Sequence, residues 1–393
     1  MKKGWELKKL VELTSHLGDG LHGTPKYTLN GEYYFINGNN LNNGIIEYKE
    51  NTKTVSFEEY NKYKKNLSDR TVLVSINGTL GNVAFYNYEK VILGKSACYF
   101  NLKPGVDKNF IKYILSSPYF LNYANKEATG ATIKNVSLKT MREFEIPLPS
   151  LTEQQRIVAI LDESFTAISK AKANAEQNLK NAKGLFESYL QGEFENKGGG
   201  WEEKRLGDVC EYDKTQNKET NLPYIGLEDI ESNSGKLIGP LTPRIVKSIT
   251  FSFNQKHVLY GRLRPYLNKV FLPDFEGHCS TEIFPIKPIE SDLDRSFLYR
   301  WLIAKETMNK INSTWTGATL PRANMNAVLE FKINLPSIEL QKVIVQKFDI
   351  LSAEIKKLES IYQKKITDLE ELKKSILQKA FSGELKTTKA LLV

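Results

Sequence analysis

The sequence predicts a mixed α/β fold: two similar α+β globular units separated by two long helices, which pair as a coiled coil within the chain; if that pair is antiparallel, a pseudo-twofold axis relates the units. Three observations predict it. The chain repeats itself; each copy opens with short apolar runs punctuated by turn residues; and each copy closes with a long polar stretch of helical periodicity. The repeat is plain in short phrases. Gly4-Trp5-Glu6 returns at Gly200-Trp201-Glu202, Thr129 to Thr132 (TGAT) returns at Thr316 to Thr319, and Leu148-Pro149-Ser150 returns at Leu335-Pro336-Ser337, the last displaced by 335 − 148 = 187 residues.

In the first copy the Asn-Gly pairs Asn30-Gly31, Asn37-Gly38, Asn43-Gly44 and Asn77-Gly78 predict tight hairpins. Between them lie strand candidates at Glu32 to Ile36, Thr71 to Ile76, Val83 to Tyr86 and Cys98 to Leu102. One helix is expected from Asn109 to Asn125. The second copy keeps the order, with strands at Lys256 to Tyr260 and Lys269 to Leu272 and a helix from Ser296 to Asn312. At 393 residues the chain is long enough for two cores.

After each Leu-Pro-Ser the character changes. Thr152 to Gln191 has no proline and one interior glycine, Gly184, while Glu339 to Ser382 has neither, so each is read as a helix of roughly 40 residues and about 60 Å. In the second, Ile344, Phe348, Leu351, Ile355, Leu358, Tyr362, Leu369, Leu372 and Ile376 alternate three and four apart, broken at Lys365. Shifted by 187, the track in the first runs through Ile157, Leu161, Ile168, Ala171, Ala175, Ala182 and Leu185, with Asn178 at the break. A polar residue in a seam fixes register, and small Ala171 and Ala175 against large Leu358 and Tyr362 suggest an interlock within one chain. The displacement grows to 383 − 192 = 191 at the closing Gly-Glu pairs, which predicts that the second helix ends one turn later.

The net charge is +9 and the pI about 9.0, which favours a polyanionic partner, nucleic acid ahead of an acidic membrane. No apolar run is long enough to cross a bilayer and the amino-terminal stretch lacks the apolar core of a secretion signal, so a cytoplasmic location is expected. Cys98, Cys210 and Cys279 form no pair motif and His16, His22, His257 and His278 have no metal-ligand spacing, so no metal site is expected and the cysteines are read as small buried hydrophobes.

Four phrases, in duplicated order, carry a resemblance: DGLHGTPKY at Asp19 to Tyr27, VLVSINGTLGNVAF at Val72 to Phe85, VLYGRLRPYLNKVF at Val258 to Phe271, and EQQRIVAILD at Glu153 to Asp162 opening the first long helix. Over essentially its whole length the chain resembles the specificity subunit of type I restriction-modification enzymes. The resemblance implies a first target recognition domain at 1–150, a conserved helical spacer at 151–195, a second recognition domain at 196–337, and a second spacer with a C-terminal tail at 338–393. It implies that each domain reads one half of a split double-stranded DNA target and that two modification subunits dock on the helices. Those subunits, and not this chain, would hold S-adenosylmethionine and methylate adenine at N6, and two restriction subunits could join them. The expected location is the prokaryotic cytoplasm, on the nucleoid through DNA. The alternative reading is a non-catalytic coiled-coil scaffold whose globular ends bind proteins.

Direct readout needs donors and acceptors at base edges and cations at phosphates. In the first copy the candidates are Ser75, Asn77, Thr79 and Asn82 around a glycine-rich turn, then Lys95, with Thr24 and Lys26 beside His22 and the Asn37-to-Asn40 run as a second polar cluster. In the second copy the equivalent turn carries Tyr260, Arg262, Arg264, Tyr266, Asn268 and Lys269. The Gly-Ala-Thr loops add Thr129, Thr132 and Lys134, and Thr316, Thr319 and Arg322. Each polar turn could equally be ordinary loop chemistry. Leu93-Gly94-Lys95-Ser96 lacks the earlier glycine of a phosphate-binding loop, and no adenine-methyltransferase or hydrolase motif is found, so the chain is read as non-catalytic.

Overall fold

The computed structural model describes residues 3–130, 132–195, 199–217, 221–244, 246–317 and 319–385. Ala131 and Ala318 of the two Gly-Ala-Thr loops, residues 196–198 at the start of the second repeat, and the tail from 386 lie outside them. Two compact units emerge: residues 1–175 with 364–393, and residues 176–363. Each unit therefore takes part of both long helices as well as a globular domain.

Unit 1 is built on a four-stranded antiparallel sheet ordered Thr14–Asp19, Ala97–Leu102, Thr71–Ser75, Val83–Phe85. Unit 2 repeats that order with Cys210–Tyr212, Ile283–Pro288, Val258–Gly261 and Val270–Phe271. Each also has a two-stranded ribbon that ties the opening of the repeat to the proline-ended strand, Glu6–Lys9 against Glu145–Leu148 and Glu202–Arg205 against Lys332–Leu335. The smaller sheets differ. Unit 1 has four strands there and unit 2 has three, so the copies diverge away from the shared frame.

Each predicted domain helix is two helices. Lys108–Leu115 stops at Ser116 and Pro118–Glu127 starts afresh, because Pro118 has no N–H to continue the ladder and forces Ser117 to an extended conformation. Ala304, also extended, divides Arg295–Ile303 from Lys305–Asn312. Of the Asn-Gly pairs, Asn43-Gly44 joins directly paired strands, both residues at positive φ as a two-residue hairpin turn requires. Asn37-Gly38 opens a 3-10 turn instead.

The long helices span Leu151–Glu195 and Ile338–Ser382, 45 residues each. The starts keep the displacement of 187, and the expected extra turn in the second helix is not there: Gly192 lies inside the first helix, and Gly383, at φ +81°, follows the end of the second. Each start is pinned by a buried glutamine. Gln154 donates through Nε2 to the carbonyls of Pro149 (2.9 Å) and Gly105 (3.3 Å) and accepts the Asp107 N–H (2.8 Å). Gln341 does the same with Pro336 (3.0 Å), Asp292 (2.9 Å) and Asp294 (2.8 Å). Asp107 and Asp294 in turn cap the domain helices, so one amide joins the long helix to the domain in each copy.

Within unit 1 the helices run antiparallel: Arg156 reaches the Leu385 carbonyl, Lys373 lies over the Phe165 ring, and Lys172 pairs with Glu370 at 2.5 Å. Ala171 is therefore beside the Glu370 stretch and not against Leu358. Within unit 2, Lys183 pairs with Glu359 and the rings of Tyr189 and Phe194 meet Phe348. Ile157, Leu161, Ile168, Ala175, Ile344, Phe348, Ile355 and Ile376 are buried as the stripe predicts, with Leu351 and Leu369 partly buried. Leu185, Leu358 and Leu372 are corrections, at 62%, 38% and 44% exposed. So are Asn178 and Lys365, which face solvent. From Ala175 the buried side steps by four to Leu179, then Ala182, Phe186 and Leu190, and from Tyr362 by four to Ile366. A helix with 3.6 residues per turn drifts off a strict heptad by about 20° per repeat, so the stripe takes extra steps of four.

The core of unit 1 joins Val72, Phe100, Phe110 and Phe120 to Ile376, Leu377, Ala380 and Phe381 of the second long helix. That of unit 2 joins Tyr260, Phe297, Trp301 and Val328 to Leu190 and Phe348. All three cysteines are buried, and burial pushes each thiol up.

Candidate nucleic-acid interface

In each unit the turn that follows the third-placed sheet strand is hydrogen-bonded to the Gly-Ala-Thr loop, and the bonds are the same ones. In unit 1 Ile76 donates to the Ser96 carbonyl (3.0 Å), Val136 donates to the Ile76 carbonyl (2.8 Å), and Gly78 donates to Lys134 (2.9 Å). In unit 2 Arg262 donates to Glu282 (2.9 Å), Ala323 to Arg262 (2.9 Å), and Arg264 to Pro321 (2.7 Å). Thr129 with Asn135, and Thr316 with Arg322, close the loops by mutual backbone bonds. In unit 1 the row continues: Leu21 donates to Leu93 and bridges Gly94, whereas the Lys26 N–H is held by Glu59.

This equivalence pairs Ile76 with Arg262, Ser96 with Glu282, Asn135 with Arg322, and Gly78 with Arg264. The backbone is shared and the side chains are not. Gly78 has φ +75° and Arg264 φ +52°. A left-handed conformation favours glycine, so the arginine is held there at a strain cost and its side chain, exposed to solvent, is what the site gains.

The unit 2 site is strongly cationic and partly preformed. Glu282 accepts from Arg262 Nε at 3.0 Å and from Arg322 through Nε at 3.0 Å and Nη2 at 2.9 Å. The Arg262 guanidinium lies 5.3 Å over the Phe284 ring. Burial alone would raise the Glu282 carboxyl, but hydrogen bonds and charge from Arg322 and Arg262 together hold it below its ordinary value. Beside the cluster Tyr266 and Trp315 are about half exposed, edge to face with centroids 6.3 Å apart. The unit 1 site is milder: Asn77 Nδ2 donates to Asn135 Oδ1 at 3.1 Å, Lys134 donates to Asn125 at 2.6 Å, and Lys95 is exposed.

Of the sequence-selected residues, Thr24, Lys26, Thr79, Lys95, Thr129, Thr132, Lys134, Arg264, Tyr266, Thr316 and Thr319 are exposed, and Asn77, Asn82, Arg262 and Arg322 are half-buried. Four are corrections. Ser75 is fully buried, its hydroxyl accepting the Asn82 N–H; Tyr260 is at 0% exposure in the core. Asn268 is buried and donates to the Ile303 carbonyl, and Lys269 turns inward to the Leu227 carbonyl at 2.7 Å. Ser75, Tyr260 and Asn268 are thus turned into the protein, and the half-buried Lys269 commits its ammonium to a backbone carbonyl. Asn40 of the second polar cluster likewise turns inward, to Glu47 and Thr52, and His22 stays with Asp19 at 2.6 Å. Sequence reasoning missed Asn135, Glu282 and Phe284. The signal for the first was its alignment with Arg322 after the repeated Gly-Ala-Thr; nothing local marked the other two.

Among the described residues no group of three His, Cys, Asp or Glu is placed to hold a metal ion, and no helix is long and apolar enough to cross a membrane.

The family described as type I restriction modification DNA specificity domain matches this chain at residues 2–178 and 198–367. The chain is 26% identical over 294 residues to the type I restriction enzyme EcoDI specificity subunit of Escherichia coli, covering 65% of this chain and 66% of that relative. It is 23% identical to the MjaIX specificity subunit of Methanocaldococcus jannaschii, covering 98% and 94%. Among solved structures, the HsdS subunit from Thermoanaerobacter tengcongensis aligns with a TM-score of 0.64 at 18% identity over 98% of both chains. A chain from a structure described as underlying complex assembly and conformational transition of the type I R-M system aligns at 0.73, 17% identical, over 98% of this chain and 99% of that one. At those identities the structural likeness shows the fold, and the family match over both repeats decides the rest: this chain belongs to the type I restriction modification DNA specificity domain family.

Proposed function

We propose that this chain is the non-catalytic subunit that selects DNA for a type I restriction-modification enzyme, each unit reading one half of a split double-stranded target. The observation that carries this is the shared backbone clamp with different side chains: one frame, used twice, to recognise two different sequences. Domains 1–150 and 196–337 do the reading, and helices 151–195 and 338–393 space them. The net charge of +9 suits a duplex, and the exposed cations Lys95, Lys134 and Arg264 support contact with phosphates. Two modification subunits, which bring S-adenosylmethionine and methylate adenine, dock on the helices, and restriction subunits join that assembly in the cytoplasm on DNA. An apolar line on the outer side of the second long helix supports docking: Val343, Ile350 and Ile361, seven and eleven residues apart, are 44%, 67% and 51% exposed.

The test is binding of the chain, assembled with its modification subunits, to a randomised duplex pool at several salt concentrations. The expected result is one split sequence enriched, with affinity for it falling by roughly a thousandfold between 50 and 200 mM salt. Binding that shows no sequence preference at any salt would favour the scaffold reading.

A further inference from the structure

We infer that Arg262 reads a guanine in the half-site bound by unit 2, with Glu282 and Phe284 as the residues that position it. The inference rests on the DNA-reading function proposed above and names the base that one side chain selects. Arg262 is gripped on three sides. Its backbone N–H and carbonyl are bound to Glu282 and Ala323, its Nε donates to Glu282 Oε2 at 3.0 Å, and its guanidinium plane lies over Phe284. No acceptor among the described residues holds Nη1 or Nη2, and the side chain is 33% exposed. The free end therefore offers two parallel N–H donors.

Two adjacent acceptors in the major groove, O6 and N7, are what guanine offers. Adenine sets an amino donor against one of the two, cytosine presents a donor, and thymine a single acceptor. A phosphate also accepts two donors, but it would have to approach the Glu282 carboxylate, which is 22% exposed in the same cluster and stays ionised. Arg264, exposed and with no ion pair among the described residues, fits a phosphate better. Arg322 grips Glu282 side-on through Nε and Nη2, which fixes the carboxylate and hence Arg262. A side chain already held in its reading rotamer loses less entropy on binding. Unit 1 has Ile76 and Ser96 at the equivalent places and cannot make this contact, so the effect belongs to one half-site.

The experiment selects bound duplexes from a pool randomised across the target, using the assembled complex with wild type, Arg262→Ala, Arg262→Lys, Glu282→Gln and Glu282→Asp. In Arg262→Ala, one position that wild type fills with guanine should lose its preference by about ten- to hundredfold, with the other half-site unchanged. Arg262→Lys, which keeps charge and bulk, should relax the same position less and decides the matter where the alanine variant folds poorly. Glu282→Gln should relax that position without a uniform loss of affinity, and Glu282→Asp should restore part of it. An unchanged preference at every position with uniformly weaker binding, or relaxation at a position that is not guanine, overturns the inference. A wild-type complex without sequence preference overturns the DNA-reading function as well.

Discussion

Arg264 and Gly78 occupy one backbone position in two copies of one frame, and both are left-handed. Replacing Arg264 with glycine removes the strain of a side chain at positive φ, about 1–2 kcal/mol, but adds the freedom of glycine in the unfolded chain, about 0.5–1 kcal/mol. The melting transition should therefore stay within about 1 kcal/mol of wild type, while affinity for duplexes drops by roughly tenfold across all sequences, as expected for a lost phosphate contact. A large loss of stability with unchanged affinity would make Arg264 a structural residue. At this scale the sequence was half legible. It located the turn and its arginines, because both repeats kept the phrase around it. It misjudged Ser75 and Tyr260, strand residues that face the packed interior, and Asn268 and Lys269, whose direction beside an irregular turn depends on contacts from distant segments, the Ile303 and Leu227 carbonyls.

The long helices were legible as elements and only partly legible in their facing. Their lengths and starts follow from the absence of proline and the repeated Leu-Pro-Ser, whereas the buried side was read on a heptad that helices without added supercoil do not keep. Two substitutions separate the readings. Leu185→Glu, at a position 62% exposed, should change stability by less than about 0.5 kcal/mol. Gln154→Leu removes three hydrogen bonds at a site 1% exposed and strands the carbonyl of Pro149 and the N–H of Asp107, so it should cost about 2–4 kcal/mol in denaturant unfolding. Sequence gave no sign of that glutamine's role beyond its recurrence as Gln341. A buried polar side chain reads as a surface residue until its partners are known.

For the whole molecule, duplication was the strongest signal, since phrases repeated in the same order predict paired frames independently of any local propensity. What the phrases could not reveal was that each compact unit draws on both long helices, because that depends on packing between segments far apart in sequence. The apolar line on the second helix gives a test of assembly. Ile350→Asp with Ile361→Asp should leave the isolated chain folded and reduce capture of the modification subunit by at least tenfold in a pull-down, since each charge must be desolvated in a packed interface. The composition of unit 1 also sets an order in time. Its core needs Ile376, Leu377, Ala380 and Phe381, whereas unit 2 is one continuous stretch from 176 to 363. On a ribosome adding about 5–20 residues per second, the segment made second can close while the segment made first still waits, with Phe110 and Phe120 lacking their final cover. The first globular unit to be synthesised is thus the last to be finished.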